Sequence, residues 1–153
     1  MPLDNDQIPA LCLRWAAGNV DAAAFLVNLT RWVRLADDLA DGDSARPVHD
    51  MAELLMRLVS EQTTNRFYQT HMVALNPVIA NAVILWRQSE EWRLSPNRKT
   101  RMFGFVGREA IEHVALTVAT ITGGFQHALM VAQELHEASH QTSPETFEEW
   151  EAE

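Results

Sequence analysis

The sequence predicts an all-α protein, built as a single bundle of five or six helices. Apolar residues recur at three- and four-residue intervals along most of the chain, which is the spacing of one helix face. No segment shows the strict alternation of a half-buried strand, and glycine or proline residues separate the helical segments. A length of 153 residues suffices for one hydrophobic core. We therefore expect residues 1–140 to form a single helical domain, followed by an acidic tail over residues 141–153.

Two helices are predicted before residue 42. Residues 6–17 would form a short first helix that is interrupted at Gly18, and Asn19 would cap a second helix over about residues 20–40. The apolar residues that share one face of this second helix are Phe25, Leu29, Trp32, Ala36 and Leu39. At ~100° per residue, Asp37 and Asp41 fall just beyond the edge of that face, whereas Asp38 points further out.

The middle of the chain predicts two more helices. Gly42 and Pro47 make a stop and a turn, after which residues 49–62 restart as a helix. Residues 63–70 are polar and favour no element. Pro77 is tolerated in the first turn of a helix over about residues 76–93. The core face of that helix would contain Ile79, Val83 and Trp86, and Glu90 is the next position on it.

The last third of the chain predicts one long helix and one shorter helix. Residues 98–122 read as a single helix whose weakly polar second half is typical of a central helix in a bundle. Gly123 and Gly124 form the next break or kink. A last helix over residues 125–140 would turn Phe125, Leu129 and Ala132 inward. The tail after it has few apolar residues, so we expect it to be loose.

Charge and cysteine content narrow the classes of function. The net charge of −9, from 12 basic and 21 acidic residues, disfavours non-specific binding to nucleic acid or to an anionic membrane. Cys12 is the only cysteine, which excludes an intramolecular disulfide and fits a reducing compartment. The acidic start lacks the features of a signal peptide, and no run approaches the ~18 apolar residues of a spanning helix. These observations favour a cytoplasmic protein.

The most informative stretch is RWVRLADDLADGD, which ends the second helix. Its aspartates oppose the negative end of the helix dipole, so arginines, solvent or a bound cation must offset them. Asp37, Asp38 and Asp41 lie within one turn, and Mg²⁺ prefers such oxygen ligands together with waters and a phosphate. In the alternative interpretation, Arg31 and Arg34 neutralise the aspartates through ordinary salt bridges.

Residues 30–43, TRWVRLADDLADGD, resemble the first aspartate-rich motif of the isoprenoid synthases, in particular the squalene and phytoene synthase branch. The stretch satisfies both DDxxD and DxxxD spacings. The resemblance implies an all-α fold, smaller here than in the family, in which these aspartates hold Mg²⁺ that binds a prenyl diphosphate. The family has a second acidic motif that faces the first, and the nearest match is RQSEEW, with Glu90 and Glu91 in place of paired aspartates.

A second acidic candidate is REAIEH, which contains Glu109, Glu112 and His113. All-α nucleotide pyrophosphatases also build Mg²⁺ sites from acidic pairs on facing helices, and Arg101 and Arg108 could then bind phosphate. The alternative is a solvated charged face, in which Arg108 and Glu112 form an i,i+4 salt bridge.

The third candidate is the HExxH sequence that begins at His136 and ends at His140. Two imidazoles one turn apart can hold Zn²⁺, but the position at the end of the last helix argues against a protease. A three-histidine site that adds His49 or His113 is chemically easier. The alternative is that His136 is a core histidine, since it shares a helix face with Leu129.

Two functions follow from these patterns. The first is Mg²⁺-dependent binding or turnover of a diphosphate-containing small molecule, and the proposed site residues are Asp37, Asp38, Asp41 and Glu90 for the metal and Arg34 and Arg101 for phosphate. His136 and His140 form a second-choice site, for Zn²⁺. The second function is that of a non-enzymatic accessory or assembly protein, such as a viral one, which works through protein–protein contacts of exposed Trp residues and could form a homodimer.

Overall fold

The computed structural model describes residues 6–140 and 145–152, and it confirms the all-α prediction: 84% of the protein is helical and no strand occurs in the described ranges. The described residues form seven α-helices, slightly more than the five or six predicted, and one π-helical segment. In chain order they are α1 (Ile8–Trp15), α2 (Val20–Asp41), α3 (Pro47–Met56), the π segment (Arg57–Gln62), α4 (Arg66–Arg93), α5 (Arg98–Gly107), α6 (Glu112–Ser139) and α7 (Phe147–Ala152).

The described residues divide into two compact units, an N-terminal unit of residues 6–72 and a C-terminal unit of residues 73–152. Helix α2 is the centre of the N-terminal unit, since α1, α3 and the π segment all pack against it. Phe25, Leu29 and Trp32 are buried as the sequence predicts. The predicted cap is also confirmed, because Asn19 Oδ1 accepts a hydrogen bond from the amide of Ala22 at 2.9 Å.

The helix predicted over residues 49–62 begins at Pro47 and changes character at Arg57, where α3 widens into the π segment. A π turn leaves backbone carbonyls available to other donors. One such donor is the buried side chain of Asn28 on α2, whose Nδ2 donates to the carbonyl oxygen of Arg57 at 3.2 Å. This bond joins the π segment to the central helix.

Helix α4 begins at Arg66, ten residues before the predicted start, so Pro77 lies inside the helix. The earlier start has a local cause, since Asn65 Oδ1 accepts a hydrogen bond from the amide of Tyr68 at 2.9 Å and so caps the helix. The predicted core face is right only in part, since Ile79 and Trp86 are half-buried but Val83 is 46% exposed. The residues that are fully buried, at seven-residue spacing, are Leu75, Ala82 and Ser89. Two of these buried residues are small, so a search for large apolar residues overlooks them.

The predicted long helix over residues 98–122 is in fact two helices, because α5 ends at Gly107 and a turn over residues 108–111 precedes α6. Helix α6 then continues through Gly123 and kinks at Gly124, whose φ of 77° favours glycine. The kink is where the sequence predicts a break. By length and composition alone, α6 could cross a membrane, and it is the single helix of this kind among the described residues.

The inward face predicted for the last helix is wrong. Phe125 is 69% exposed and Leu129 is 51% exposed, whereas Val131 and Leu135 are buried. The second half of α6 has apolar residues on both of these faces, so periodicity alone does not select the buried one. His136 is exposed, and the interpretation as a core histidine is therefore wrong as well.

The expectation of a loose tail is wrong for residues 145–152. Within the C-terminal unit, α7 packs on α5, and the side chain of Trp150 is only 1% exposed. The Trp150 ring lies 5.5 Å from the ring of Phe105, measured between centroids. Arg101 Nε donates to Glu151 at 2.8 Å, and Arg108 pairs with Glu145 at 3.2 Å. Aromatic packing and ion pairs together hold this short helix.

Candidate functional site

The N-terminal unit contains a groove of about 360 Å³ between residues of α1, α2, α3 and the start of the π segment. Three guanidinium groups and two carboxylates line it beside four apolar side chains and one hydroxyl. The lining residues are Ile8, Pro9, Val27, Thr30, Arg31, Arg34, Leu35, Asp38, Glu53 and Arg57. In a chain of net charge −9, a cavity where arginines outnumber acids is a local exception.

The α2 wall of the groove contains four residues of the aspartate-rich stretch, and one of them is an aspartate. Arg31, Arg34 and Asp38 recur at three- and four-residue intervals, so they share a helix face next to the buried apolar face. Asp38 is half-buried, whereas Asp37 and Asp41 are exposed, so the prediction that Asp38 points furthest out is wrong. The reason is that α3 packs against this second face of α2, which a prediction based on one apolar stripe does not anticipate.

The charged residues on the other wall of the groove are Glu53 of α3 and Arg57 of the π segment. Arg57 donates to Glu53 Oε1 through Nε at 3.1 Å and through Nη2 at 2.5 Å. Its Nη1 donates to Glu61 at 3.1 Å and, more weakly, to Asn28 Oδ1 at 3.4 Å. The Arg57 side chain is only 12% exposed, so this guanidinium is fixed in place. By contrast, Arg31 is exposed and forms no ion pair within residues 6–140 and 145–152.

Glu53 also belongs to a group of metal-ligating side chains on α3, with His49 and Asp50. One ligand atom from each residue lies within 4.8 Å of the other two. His49 Nε2 is 3.9 Å from Glu53 Oε2. From the sequence, His49 is expected as a candidate third ligand for His136 and His140. The pattern that identifies this group is a histidine followed by acids one and four residues later, in which Glu53 is the i,i+4 neighbour of His49 and the i,i+3 neighbour of Asp50.

Two further predicted site residues lie in the C-terminal unit, where each has a partner of its own. Glu90 is exposed and pairs with Arg93 at 3.2 Å, and its neighbour Glu91 pairs with Arg87 at 2.9 Å. Arg101, predicted to bind phosphate, donates to Glu151 and to the carbonyl oxygen of Ser95, both at 2.8 Å. The roles predicted for Glu90 and Arg101 remain predictions.

Residues of the REAIEH and HExxH sequences contact each other in the C-terminal unit. His140 Nε2 lies 3.0 Å from Glu112 Oε2, and the ring of His136 is 5.4 Å from that of His140. Burial is the main cause that raises the pKa of Glu109. The charges of Arg108 and His140 lower this pKa, whereas those of Glu112 and Glu145 raise it further. Within the described ranges, Arg108 pairs with Glu109 and Glu145 and not with Glu112 as predicted.

The exposed apolar residues of the N-terminal unit lie largely on α3 and the π segment, and they are not the tryptophans that the sequence predicts. Three of the five Trp residues are buried and two are half-buried, so the expectation of exposed Trp residues is wrong. Helix α3 has no buried residue. The exposed apolar residues of α3 and the π segment are Val48, Met51, Leu55, Met56 and Val59.

Comparison of the chain with protein-family models, with curated proteins and with solved structures finds no match. The resemblance of residues 30–43 to an aspartate-rich motif therefore rests on residue identity and spacing alone. The candidate site is consequently defined by its geometry.

Proposed function

We propose that the N-terminal unit binds a diphosphate-containing small molecule in the groove, together with Mg²⁺. The observation that supports this proposal is the clustering of Arg31, Arg34 and Arg57 with Asp38 and Glu53 around one cavity. Guanidinium groups bind phosphate oxygens through paired hydrogen bonds, and carboxylates hold the cation that neutralises the remaining phosphate charge. A site for a neutral ligand would not need three cationic side chains.

The α2 residues divide these roles between them. Arg31 is exposed and Arg34 lies one turn further along the same wall, so both can donate to phosphate oxygens. Asp38 is the aspartate of the motif that lines the groove, and it provides a Mg²⁺ ligand there. Mg²⁺ typically takes one or two carboxylates and completes its shell with water and phosphate oxygens. Asp37 and Asp41 on the same turn hold those waters or act as further ligands.

Glu53 provides the metal-binding carboxylate on the wall that faces α2, a role that the sequence predicted for Glu90. Its Oε1 accepts both hydrogen bonds from Arg57, which fixes the carboxylate at the groove. Turnover of the bound diphosphate would release phosphate or diphosphate, and a malachite-green assay with and without added inorganic pyrophosphatase would detect and distinguish the two.

A thermal-shift experiment with inorganic pyrophosphate tests this proposal. We expect pyrophosphate and Mg²⁺ together to raise the melting temperature of the unmutated protein, because a ligand that binds only the folded state stabilises it. Asp38→Asn should reduce the shift. The double variant Asp37→Ala/Asp41→Ala should reduce the shift when Mg²⁺ is present and should have no effect on it when Mg²⁺ is absent. Asp21→Asn is the control, since Asp21 is an exposed acid at the other end of α2. No shift in the unmutated protein would contradict the proposal.

A second candidate function is that of an accessory or assembly protein acting through protein–protein contacts. The observation that favours it is the exposed apolar face of α3 and the π segment, where Val48 is 85% exposed and Val59 is 69% exposed. Several exposed apolar residues at helical spacing are typical of an interaction site. Light scattering after gel filtration would test it: we expect a homodimer that Leu55→Glu converts to a monomer. An unmutated protein that is monomeric at high concentration would contradict self-association.

A further inference from the structure

Helix α3 holds a second arrangement of ligands, distinct from the aspartates of α2. His49, Asp50 and Glu53 each place one potential ligand atom within 4.8 Å of the other two. A metal ion about 2.0–2.2 Å from nitrogen and oxygen ligands in tetrahedral geometry requires ligand atoms about 3.4 Å apart. His49 Nε2 and Glu53 Oε2 are 3.9 Å apart, so these two atoms need to approach each other by only about half an ångström.

Donors outside the group orient both of its carboxylates. Ser44 donates its hydroxyl hydrogen to Asp50 Oδ2 at 2.6 Å. Arg57 donates twice to Glu53 Oε1, while the other oxygen of that carboxylate, Oε2, is the one nearest to His49. In metal sites, hydrogen bonds of this kind hold one oxygen of a carboxylate and direct the other toward the ion. Each carboxylate of the group is therefore held by a donor of its own.

We infer that His49, Asp50 and Glu53 bind a divalent transition-metal ion at the edge of the groove, where its open coordination position takes a phosphate oxygen. Three protein ligands leave such a position in a four-coordinate ion. An imidazole beside two carboxylates suits Zn²⁺, Mn²⁺ or Co²⁺ better than Mg²⁺, which favours oxygen ligands and waters. The metal half of this inference does not require the proposed function, although both use Glu53, whereas the phosphate half rests on the proposed function.

The location of Glu53 connects this site to the groove. Glu53 is both a member of the ligand group and a lining residue of the groove, as is Arg57, its hydrogen-bond donor. An ion bound to Glu53 therefore lies at the boundary of the cavity that contains Arg31 and Arg34. Such a metal and the two arginines would neutralise a bound diphosphate together.

The test is titration of the full chain with Co²⁺, followed by visible absorption, and with Zn²⁺, followed by calorimetry. We expect one equivalent to bind and Co²⁺ to give the intense visible bands of low coordination. His49→Ala should abolish the bands, and it should not unfold the protein because the His49 side chain is 57% exposed. Ser44→Ala, which removes the donor to Asp50, should weaken binding by roughly 10- to 100-fold. Far-UV circular dichroism would verify the fold of each variant.

His136→Ala and His113→Ala are the matched controls, since both histidines are exposed and lie in the C-terminal unit. They should leave Co²⁺ binding unchanged. Loss of the bands in His136→Ala but not in His49→Ala would overturn the inference in favour of the HExxH histidines, and so would an absence of stoichiometric binding by the unmutated protein.

Pyrophosphate distinguishes the metal site from the proposed function. We expect pyrophosphate to change the Co²⁺ bands, and Arg31→Gln to weaken that change without affecting Co²⁺ binding itself. Co²⁺ binding with bands that do not respond to pyrophosphate would overturn the phosphate half of the inference alone. Pyrophosphate binding with Mg²⁺ but no Co²⁺ binding would overturn the metal site and leave the proposed function intact.

Discussion

Replacement of Trp150 by alanine tests how firmly α7 is held in the C-terminal unit. The Trp150 side chain is 1% exposed, and its ring contacts the rings of Phe105 and Phe147 at centroid distances of 5.5 and 6.3 Å. The Arg108 guanidinium lies 6.0 Å from the centroid of the same ring. Removal of a buried tryptophan side chain typically lowers the free energy of unfolding by about 3–5 kcal/mol. We expect a loss in this range, since the aromatic contacts and the cation–π contact disappear together.

Urea unfolding followed by far-UV circular dichroism would measure this loss. With a denaturant slope of about 2 kcal/mol/M, the midpoint for the C-terminal unit should fall by about 1.5–2.5 M. The control is Glu148→Gln, because Glu148 is exposed and its distance to Arg98 is 3.6 Å, a surface pair worth ~0–1 kcal/mol. If Trp150→Ala costs no more than Glu148→Gln, then α7 is not docked through Trp150.

Three further predictions concern single side chains. Gly104→Ala should lower the free energy of unfolding by about 1–3 kcal/mol in a urea titration, because a Cβ there would lie 3.0 Å from Trp150 and 3.1 Å from Trp92; stability equal to the unmutated protein would be inconsistent with this packing. Asp37→Ala should raise the melting temperature at low ionic strength by removing an exposed charge from the negative end of α2, a gain of about 0.3–1 kcal/mol that should shrink in about 1 M salt; a salt-independent change would exclude this electrostatic cause. Burial raises the pKa of the Cys12 thiol from 9.0 to about 12, so the folded state keeps its proton where the unfolded state loses it, and stability should fall as pH rises from 9 toward 12. A disulfide reagent should leave the folded protein unmodified near pH 8 and modify one thiol in urea; rapid reaction without urea would contradict the burial of Cys12.

The sequence was sufficient to predict those parts of the fold that depend on local rules. The main buried face of α2 follows from the spacing of Phe25, Leu29 and Trp32, because large apolar side chains at three- and four-residue intervals define one helix face. The helix start at Asn19 follows from its capping side chain, and the kink at Gly124 follows from a glycine pair. Each of these features is decided by a few neighbouring residues.

Features decided by tertiary packing were not predictable in the same way. Nothing local to Ala82 and Ser89 marks the buried face of α4, because small residues gain burial only where another segment approaches closely. The two faces of the second half of α6 are similarly apolar, so the burial of Val131 rather than Leu129 depends on what packs there. The docking of α7 depends on partners about forty residues earlier in the chain, such as Arg108 for Glu145.

The candidate site was predictable on α2 but not on α3. Arg34 and Asp38 were identified because they belong to a dense charged sequence, and both line the groove. The sequence did not identify Glu53 and Arg57 as site residues, because an i,i+4 acid–base pair on a helix is usually a solvated surface pair. Their importance arises from the packing of α3 and the π segment against α2, which places this pair on the groove wall.

The most direct test of the account is calorimetric titration of the protein with inorganic pyrophosphate in the presence of Mg²⁺. We expect a single site, and we expect Arg31→Gln to weaken binding by roughly 10- to 100-fold, which corresponds to the loss of one charge-assisted interaction of about 1.5–3 kcal/mol. Arg87→Gln should bind as the unmutated protein does, because Arg87 is an exposed arginine of α4 paired with Glu91. Absence of binding to the unmutated protein, or equal affinity of the Arg31→Gln and Arg87→Gln variants, would contradict the assignment of the groove as a diphosphate site.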